Sequence, residues 1–515
     1  MNLKHVRNIF VLFIVTLVLY ASYLMILNNL TMQNETVSKA LIIGQNEKIT
    51  NLKLGLSCLD TIDPILTHNK DYQYISKLIY DSLFTITEEY KMQNCLATEC
   101  SKISDTAYII KLRNEVYWTN GEKFSAQDVV YTIDKIKTEE NIYQKLVEPI
   151  ESIQIIDEYT LKINLYKEII FFEYNLIFPI VKNNIENQEI CSTGMYTIKE
   201  NEKDSIILEK NENWWNKEKQ NALLEKISIE LYSNKLEEYK AFKKSEIDII
   251  NTNNIHYEEY IGRYGYSTEK YTCPTHTILA FNLENDYLSN ENIRQAIACA
   301  IDKQNIIDKV FENKYIASEF MMDYGSFLYS GNLYENIYNP KHGNDILSKY
   351  VKNYEINLNL IINESEKEKI KIAELIKNDL ENIGIVINLE HLNDEEYNKR
   401  LQSGKYDLYL CTIDLSLNPN LASLLGSKGL LGNNNTEIDK ILYEIGDIQE
   451  DKILLQKYKE LQKYYYESNP CISLYNEVNT LLYSKNLRAI LTPNYFNLFY
   501  GIERWYLVQN ASYVG

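Results

Sequence analysis

The segment LRNEVYWTNGEKFSAQDVVYTIDKI, residues 112–136, joins the end of a strand, a tight turn and the start of a helix. Tyr108 to Leu112 alternates as a half-buried strand does, and Asn120-Gly121 accepts the positive φ angles of a tight turn. Ser125 is placed to cap the helix, and Asp128 stands three residues later, where its carboxylate can reach the cap. Apolar side chains then recur at helical spacing at Val129, Val130, Ile133 and Ile136. The segment predicts a strand, a turn and a capped helix, but local physics leaves their combination unexplained.

The composition of the whole chain is that of a folded, acidic protein with several domains. Its 515 residues exceed one ordinary hydrophobic core, so two or three domains are expected. With 45% hydrophobic and 24% charged residues and only 8 Pro, the chain is neither disordered nor a repetitive fibre. A net charge of −19 without a basic patch argues against nucleic acid as a partner.

The amino-terminal segment differs from the rest of the chain. Ile9 to Leu27 is 19 consecutive residues without a charge, long enough to cross roughly 30 Å of hydrocarbon as a helix. The positive flank that holds its leading end in the cytoplasm consists of Lys4, His5 and Arg7. The alternative is a cleaved signal peptide, although Ala21-Ser22 is a weak cleavage site and no Cys for lipidation follows before Cys58. We expect residues 1–37 to form a single-pass membrane anchor and stalk, with the bulk of the chain outside the cell.

The 8 cysteines are scattered, which fits neither a CxxC metal site nor a disulfide scaffold. An exported location permits disulfides without requiring them. Cys273 precedes one strand and Cys411 lies on a strand expected to be its neighbour. Two alternatives stay open for this pair, a bridge or two free thiols.

A run of alternating strands and helices in the second half of the chain predicts a parallel sheet with right-handed crossovers. Its elements are a strand at Ile356 to Ile362, a helix at Ile370 to Ile383 closed by Gly384, a strand at Ile385 to Leu392, a helix at Glu395 to Ser403 and a strand at Tyr406 to Ile413. Ligands of such sheets gather at the carboxyl ends of the strands. Those ends are Asn363, His391 to Asn393, and Ile413 to Asn418.

The sequence carries none of the common catalytic or nucleotide-binding motifs. It has no GxSxG elbow, HExxH helix, Walker A loop or GxGxxG turn. The spacing in His256-Tyr257-Glu258-Glu259 fits no helical zinc face, so a solvated charged segment is favoured there. These absences favour a binding protein over an enzyme, and we expect no catalytic residue, metal or cofactor.

The segment quoted first closely resembles the signature of the family 5 extracytoplasmic solute-binding proteins, which are the oligopeptide-, dipeptide- and nickel-binding subunits of ABC importers. The family phrase is W-[ST]-D-G-x-x-[FV]-[ST]-A-x-D-V-V-[FY] after a strand, and Trp118 to Tyr131 departs from it only at Asn120. Further matches follow in the family's order: Leu56-Ser57 with Leu59 to Pro64 (LDP), Ile79 to Leu83 (IYEGL), Ser192 to Tyr196 (GTGPY), Asn211 to Trp215 (NPxYW), Phe281-Asn282 with Ile293 to Asp302 (FN…VRQAxxxAID), Tyr406 to Leu408, and Ile472 to Tyr475. The resemblance extends over about residues 50 to 500.

The resemblance implies an α/β protein whose two lobes close on a ligand. This is the class II type of the periplasmic-binding-protein-like fold, with a third domain inserted in lobe one and the transmembrane helix before it. Lobe one would comprise residues 38–82, 187–276 and 487–515, the inserted domain residues 83–186, and lobe two residues 277–486. Strands near Thr275 to Ala280 and Leu482 to Leu487 would form the hinge. The opening motif would then shape the inserted domain without contacting ligand.

One departure from the family concerns recognition of the ligand. Peptide-binding relatives usually end the strand at Tyr406 with a Trp and then place an Asp before a Pro, and this Asp pairs with the amino terminus of the peptide. The corresponding segment, Cys411 to Pro419, has no Trp, and the two ways of counting place Ser416 or Leu415 at the acidic position. Asp414 is the nearest carboxylate, and its alternative role is to cap the following turn or helix.

Six residues are candidates for ligand binding on these grounds. Asp414 would compensate a peptide ammonium, since an unpaired buried ammonium is costly. His276 precedes the strand at Ile278, and its alternative is a surface or hinge histidine. The others, which can add hydrogen bonds at the mouth of the predicted ligand site or at the end of the first strand, are Asn418, Tyr475, Asn476 and Ser57.

The function expected from these features is that of a membrane-tethered receptor. It would bind a peptide or similar small solute as a monomer and deliver it to the permease subunits of an ABC transporter. The alternative is a degenerate family member that acts in signalling or in the cell envelope without transport, and a pocket lacking charged or polar groups would support it. A secreted hydrolase is disfavoured because no nucleophile–base pair is visible.

Overall fold

The computed structural model describes residues 50–183, 190–219, 222–330, 337–351, 355–433 and 435–508. The expected membrane segment, Ile9 to Leu27, lies outside these ranges. Within them, no helix has both the length and the apolar character needed to cross a membrane. Residues 50–506 form one compact unit by their contacts.

The strands of the described ranges are numbered in chain order. They are β1 (Asn51–Ser57), β2 (Phe84–Ile86), β3 (Met92–Asn94), β4 (Ala97–Ser104), β5 (Ala107–Leu112), β6 (Ile150–Asp157), β7 (Thr160–Leu165), β8 (Tyr196–Asn201), β9 (Ser205–Lys210), β10 (Lys226–Tyr232), β11 (Ile249–Thr252), β12 (Tyr266–Phe281), β13 (Ile316–Ala317), β14 (Ile356–Asn363), β15 (Ile385–Leu392), β16 (Leu408–Asp414), β17 (Cys471–Ser484), β18 (Leu487–Arg488) and β19 (Tyr506–Leu507).

The α-helices are numbered in the same way. They are α1 (Lys70–Ile79), α2 (Ala126–Thr138), α3 (Gln144–Val147), α4 (Lys235–Lys243), α5 (Glu258–Ile261), α6 (Glu291–Ala300), α7 (Lys303–Phe311), α8 (Pro340–Tyr350), α9 (Lys367–Glu381), α10 (Asp394–Gln402), α11 (Ala422–Leu425), α12 (Thr436–Glu444) and α13 (Asp451–Ser468). Short 3₁₀ turns occur at Phe172–Leu176, Ile445–Asp447 and Ile502–Arg504.

One mixed sheet of eleven strands runs through the molecule. Its order is β15-β14-β16-β12-β17-β11-β1-β10-β9-β8, and β13 pairs with β17. The long strands β12 and β17 lie antiparallel at its centre and shift register between Thr272 and His276. Pro274 lies in this irregularity, where the missing N–H of proline is tolerated. The strands on the β16 side of the sheet are thus joined to those on the β11 side through two central strands whose pairing is interrupted near Pro274.

The strand and helix run in residues 356–414 has the predicted topology. β14 is parallel to β15 along its whole length and parallel to β16. α9 connects β14 to β15, and Gly384 follows with a φ of +88°, a conformation that glycine adopts at little cost. Buried Leu and Ile side chains of β14, β15 and α9 share one core. The prediction of a parallel sheet is confirmed.

The opening motif also has the predicted local structure. β5 is followed by a turn with Gly121 at a φ of +87° and then by α2. The Asp128 carboxylate accepts hydrogen bonds from the Ser125 backbone N–H (2.9 Å), the Trp118 Nε1–H (3.3 Å) and the Asn183 N–H (3.0 Å). One buried carboxylate thus ties the helix cap to the turn and to a distant loop. This helix packs beside a four-stranded antiparallel sheet of order β4-β5-β7-β6.

Three further segments of the resemblance meet around Asp81. Its carboxylate accepts hydrogen bonds from Nε1–H of Trp214 (3.3 Å) and Trp215 (2.7 Å). Burial raises the pKa of Asp81 to about 6, although these bonds oppose the shift. The Gly194 N–H donates to the Ile79 carbonyl at 2.8 Å, and a Cβ on Gly194 would lie 2.6 Å from that backbone. A side chain at position 194 would therefore separate the segments.

Of the two alternatives for Cys273 and Cys411, the structure supports two free thiols and excludes a bridge. Cys411 pairs with Ile278 across β12 and β16, and both thiols are free. Because Cys273 precedes Ile278 by five positions on an extended strand, the two cysteines are about 15 Å apart. This exceeds the reach of a disulfide.

Candidate ligand-binding cleft

A large cleft of about 2480 Å³, including its open mouth, lies among the described residues. Four parts of the chain line it: α1, residues 142–177, residues 414–423, and the carboxyl-terminal residues Tyr495 and Phe496. A smaller cavity of about 530 Å³ adjoins it and shares Ser416, Leu417, Asn418 and Tyr495. The cleft is lined by side chains from both halves of the sequence.

The segment that follows β16 forms one wall of this cleft. Asp414 is exposed, lines the cleft and accepts a hydrogen bond from Thr275 Oγ1 at 3.1 Å. Asn418 lines it as well, and its Nδ2 donates to the carbonyls of Ile170 (2.9 Å) and Phe171 (3.2 Å). Two of the six candidates therefore lie on the wall of the cleft.

The other candidates lie away from the cleft lining. His276 is fully buried, and its Nε2 is 2.6 Å from Ser473 Oγ. Burial lowers the pKa of His276 to about 3, with a smaller lowering by Lys303 and an opposing effect of the Asn476 amide. Asn476 is fully buried beside it without a hydrogen bond of good geometry. These side chains contribute buried polar groups at the centre of the sheet, and their role as ligand contacts stays a prediction.

Tyr475 lies in an aromatic cluster, and Ser57 contacts the residue that caps α1. The Tyr475 ring is buried, with its centroid 4.9 Å from that of Phe311 and 5.7 Å from that of Tyr315. Ser57 ends β1, and its carbonyl accepts a hydrogen bond from Asn69 Nδ2 at 2.7 Å. Asn69 caps α1, so Ser57 helps to position a helix that lines the cleft.

Two lysines of α1 are cleft residues that the sequence analysis did not find. Lys70 and Lys77 lie on the face opposite the buried Tyr72, Ile75 and Ile79. The Lys70 Nζ is 3.9 Å from the ring centroid of Tyr495, and the Lys77 Nζ is 4.4 Å from that of Phe496. Burial lowers the pKa of Lys70 to about 8 and that of Lys77 to about 7, and the charge of Lys70 adds to the second shift. The Lys70 side chain is exposed as a whole, but its ammonium packs between Tyr74 and Tyr495.

The smaller cavity is bordered by the half-buried side chain of Asp323. Asp323 accepts hydrogen bonds from Thr272 Oγ1 (2.7 Å), Tyr90 O–H (3.0 Å) and the Gly325 N–H (2.8 Å). Burial raises its pKa, and these bonds oppose the shift. The contact joins β12 to the loop at Tyr90 and to residues 323–325, so three parts of the chain are fixed beside the cleft.

Within the ranges that the structure describes, no group of three His, Cys, Asp or Glu side chains could hold a metal ion.

The family described as "Bacterial extracellular solute-binding proteins, family 5 Middle" matches residues 91–428. The chain belongs to this family. The resemblance recognised in the sequence is thereby confirmed. A curated relative, heme-binding protein A of Haemophilus influenzae, is 24% identical over 238 residues, which are 44% of this chain and 44% of that protein.

A second relative aligns over most of its length. The oligopeptide-binding protein AppA of Bacillus subtilis is 20% identical over 481 residues, 84% of this chain and 87% of that protein. Among solved structures, the periplasmic murein tripeptide-binding protein MppA in its unliganded open form superposes with a TM-score of 0.79 at 18% identity, covering 91% of this chain and 99% of that one. This family 5 solute-binding protein therefore shares the mixed α/β fold of its relatives.

Proposed function

We propose that this solute-binding protein captures a peptide, or a similar small solute, and delivers it to the permease of an ABC transporter. The observation that carries the proposal is the cleft, in which about 1080 Å³ is open to water-sized molecules, at the upper end of the roughly 300–1,000 Å³ of pockets that suit one drug-sized molecule. Peptide is favoured because a relative named for oligopeptide binding aligns over 84% of this chain, whereas a nickel-binding relative and the heme-binding relative align over 61% and 44%.

We propose Asp414 and Asn418 as ligand contacts. Both line the cleft, and among the described residues the Asp414 carboxylate accepts one hydrogen bond, from Thr275 Oγ1 at 3.1 Å. A carboxylate with spare acceptor sites at the mouth can take the ammonium of a peptide. His276, Tyr475, Asn476 and Ser57 would support the site from behind, through β12, β17 and α1.

The domain boundaries inferred from the resemblance form part of this proposal. Residues 38–82, 187–276 and 487–515 would move as lobe one, residues 83–186 as the inserted domain, and residues 277–486 as lobe two. The break in register of β12 and β17 supports a hinge near Pro274, because fewer ladder hydrogen bonds oppose bending there. Ligand contacts made only in the closed state would drive closure.

Membrane tethering is proposed from the sequence of residues 1–37. The uncharged run at Ile9 to Leu27 with its basic flank supports an anchor that keeps the receptor beside its permease. The alternative hypothesis, a family member that acts in signalling or in the cell envelope without transport, predicts a pocket that lacks charged and polar groups. The lining contains Lys70, Lys77 and Asp414, which favours the receptor.

A binding experiment tests this function. The purified full-length protein is dialysed against a mixture of synthetic tripeptides to pentapeptides, and the retained peptides are identified by mass spectrometry. Small-angle scattering of the same samples reports closure as a smaller radius of gyration. The variant Ser423→Trp fills the cleft from an exposed lining position and should abolish retention, whereas Ser348→Trp on the exposed face of α8 should not. Failure of wild-type protein to retain any peptide would refute the peptide assignment.

A further inference from the structure

We propose that the ligand of this cleft carries a carboxylate and that Lys70 and Lys77 of α1 bind it. The inference names the chemistry of the ligand and uses the cleft of the proposed function. It rests on three observations: the position of the two ammonium groups, the aromatic rings beside them, and the lack of a carboxylate partner for either group within the described ranges.

The two lysines form one cationic strip. They are separated by seven residues, so they lie about 10.5 Å apart along the helix and within about 20° of the same face. Gln73 lies between them on the cleft lining, and its Nε2 donates to the Thr67 carbonyl at 3.2 Å. The opposite face of α1 is buried, so the strip is fixed in orientation towards the cleft.

Hydrogen bonds to the protein interior fix the segment that carries the aromatic side chains Tyr495 and Phe496 beside the strip. The Asn494 Nδ2 donates to the Thr87 carbonyl at 2.9 Å, and the Tyr495 N–H donates to the Tyr90 hydroxyl at 3.3 Å. The rings of Tyr495 and Phe496 therefore keep their places over the two ammonium groups. An ammonium over a ring is attracted by the ring face, but the ring supplies no negative charge to neutralise it.

Neither ammonium forms an ion pair within the described ranges. Asp71 raises the pKa of Lys70 by its charge, but its own carboxylate is bound to the Lys235 ammonium at 3.0 Å and to Asn251 Nδ2 at 2.9 Å. Other lysines of low exposure do have carboxylate partners: Lys182 with Glu122 at 2.5 Å, Lys135 with Asp63 at 2.5 Å, Lys303 with Glu319, and Lys235 with Glu238 at 2.8 Å. Lys70 and Lys77 differ from these lysines in facing a cavity.

Two ammonium groups that line one cleft and have no carboxylate at ion-pair distance within the described ranges favour binding of an anion. Their lowered pKa values reflect the cost of holding them charged, and a carboxylate in contact with either ammonium would reduce that cost. A peptide offers a carboxylate either at its carboxyl terminus or on an acidic side chain. The chemistry at the lysines is the same in both cases, and the experiment distinguishes the two sources.

The experiment has two readouts on the full-length protein. Equilibrium dialysis compares three matched sets of tripeptides: free acids, the corresponding carboxyl-terminal amides, and amides containing one Glu. Acylation of individual lysines by an amine-reactive acetyl ester, followed by peptide mapping, reports whether each set shields Lys70 and Lys77. Succinate is the non-peptide probe in the second readout.

We expect the free acids to bind at least about 30-fold more tightly than the neutral amides, because the lysines would otherwise lose a desolvated charge partner. Lys70→Gln and Lys77→Gln should each remove this preference, so that free acids and neutral amides bind with similar affinity. Lys349→Gln is the matched control, since Lys349 covers the Tyr350 ring at 5.1 Å on α8, outside the cleft lining. Restored binding by the Glu-containing amides would assign an acidic side chain as one source, and its absence would assign the carboxyl terminus.

The outcomes separate this inference from the proposed function. Equal binding of acids and amides, with unshielded lysines, would refute the inference and leave the peptide receptor standing. Shielding by succinate that is lost in Lys77→Gln, without binding of any peptide, would support the anion site and refute peptide as the ligand. Neither peptide binding nor shielding would refute both.

Discussion

Asp414 is the residue on which recognition of a free amino terminus is expected to depend. Replacing it with Asn removes one negative charge and keeps the size of the side chain. The proposed closure of the cleft would desolvate the exposed carboxylate, so Asp414→Asn should weaken binding of a free-amino peptide by about 2 kcal/mol or more. Binding of the amino-acetylated peptide should change little in calorimetry.

The comparison variant is Glu148→Gln, which neutralises another carboxylate of the cleft lining. It should leave the preference for the free amino group in place. Equal small effects of Asp414→Asn on both peptides would remove Asp414 from the site and favour an uncharged or non-peptide ligand.

His276 should make stability dependent on acid pH. Its pKa is about 3 in the folded protein, well below the usual value of 6.5. As the pH falls below 6.5 the unfolded chain takes up a proton that the folded protein excludes, so folding is destabilised. Between pH 7.5 and pH 4 the loss amounts to about 3 kcal/mol.

Urea unfolding of wild type and His276→Gln across this range measures the effect. The stability advantage of wild type over the variant should shrink as the pH falls. A difference that stays constant from pH 7.5 to pH 4 would show that the imidazole is not held neutral by burial.

Part of the cleft wall could be predicted from the sequence because one rule applies at the residue scale. Asp414 and Asn418 follow a strand of a parallel sheet, and such strand ends border ligand sites. Lys70 and Lys77 were missed because their partners Tyr495 and Phe496 are more than four hundred positions away in the chain. The local sequence pattern of α1 does not indicate that its polar face borders a cavity.

At the scale of elements, the cap of α2 should contribute far more to the free energy of unfolding than an ordinary surface contact does. Asp128→Ala removes the acceptor of three hydrogen bonds and leaves donors from Ser125, Trp118 and Asn183 without it. We expect a loss of about 2–4 kcal/mol in the free energy of unfolding, measured by urea denaturation.

Asp134→Ala on the exposed face of the same helix is the control. It changes the same residue type and should cost less than about 0.5 kcal/mol. Similar losses for the two variants would mean that the opening motif does not organise this part of the fold.

Elements whose signals are local were predicted well, and elements defined by distant pairing were not. The strands of residues 356–414 alternate regularly and pair with their neighbours in sequence, so both period and topology were visible. β12 extends from Tyr266 to Phe281, but only its last residues read as a strand. Its first half is polar and is followed directly by Pro274, and it is held in the sheet by β17, some two hundred positions later.

At the scale of the whole molecule, the full-length chain should remain in the membrane after export. The uncharged run at residues 9–27 would have to leave hydrocarbon for water on release, which is strongly unfavourable. Full-length protein should stay in the membrane fraction after alkaline carbonate extraction, and deletion of residues 1–37 should give a soluble, folded receptor. Recovery of a soluble exported form that begins after about residue 22 would instead indicate signal-peptide cleavage.

The order of motifs along the chain indicated the arrangement of the whole molecule more clearly than any single pattern. Asp81 shows why, because its partners Trp214 and Trp215 come from a motif more than a hundred residues away. Physics explains each contact once the segments meet, but only the family order indicated that they do. The cleft itself, formed by four separate parts of the chain, could not be placed from sequence periodicity.

Mass spectrometry of the ligand that co-purifies with the protein from its native membrane tests the central claim most directly. The intact complex is isolated under native conditions, its mass is compared with that of the denatured chain, and the released molecule is sequenced by fragmentation. The proposed receptor should carry short peptides with free carboxylates at up to one per chain, and Ser423→Trp should carry none. A ligand without peptide bonds, or equal peptide content in wild type and Ser423→Trp, would contradict it.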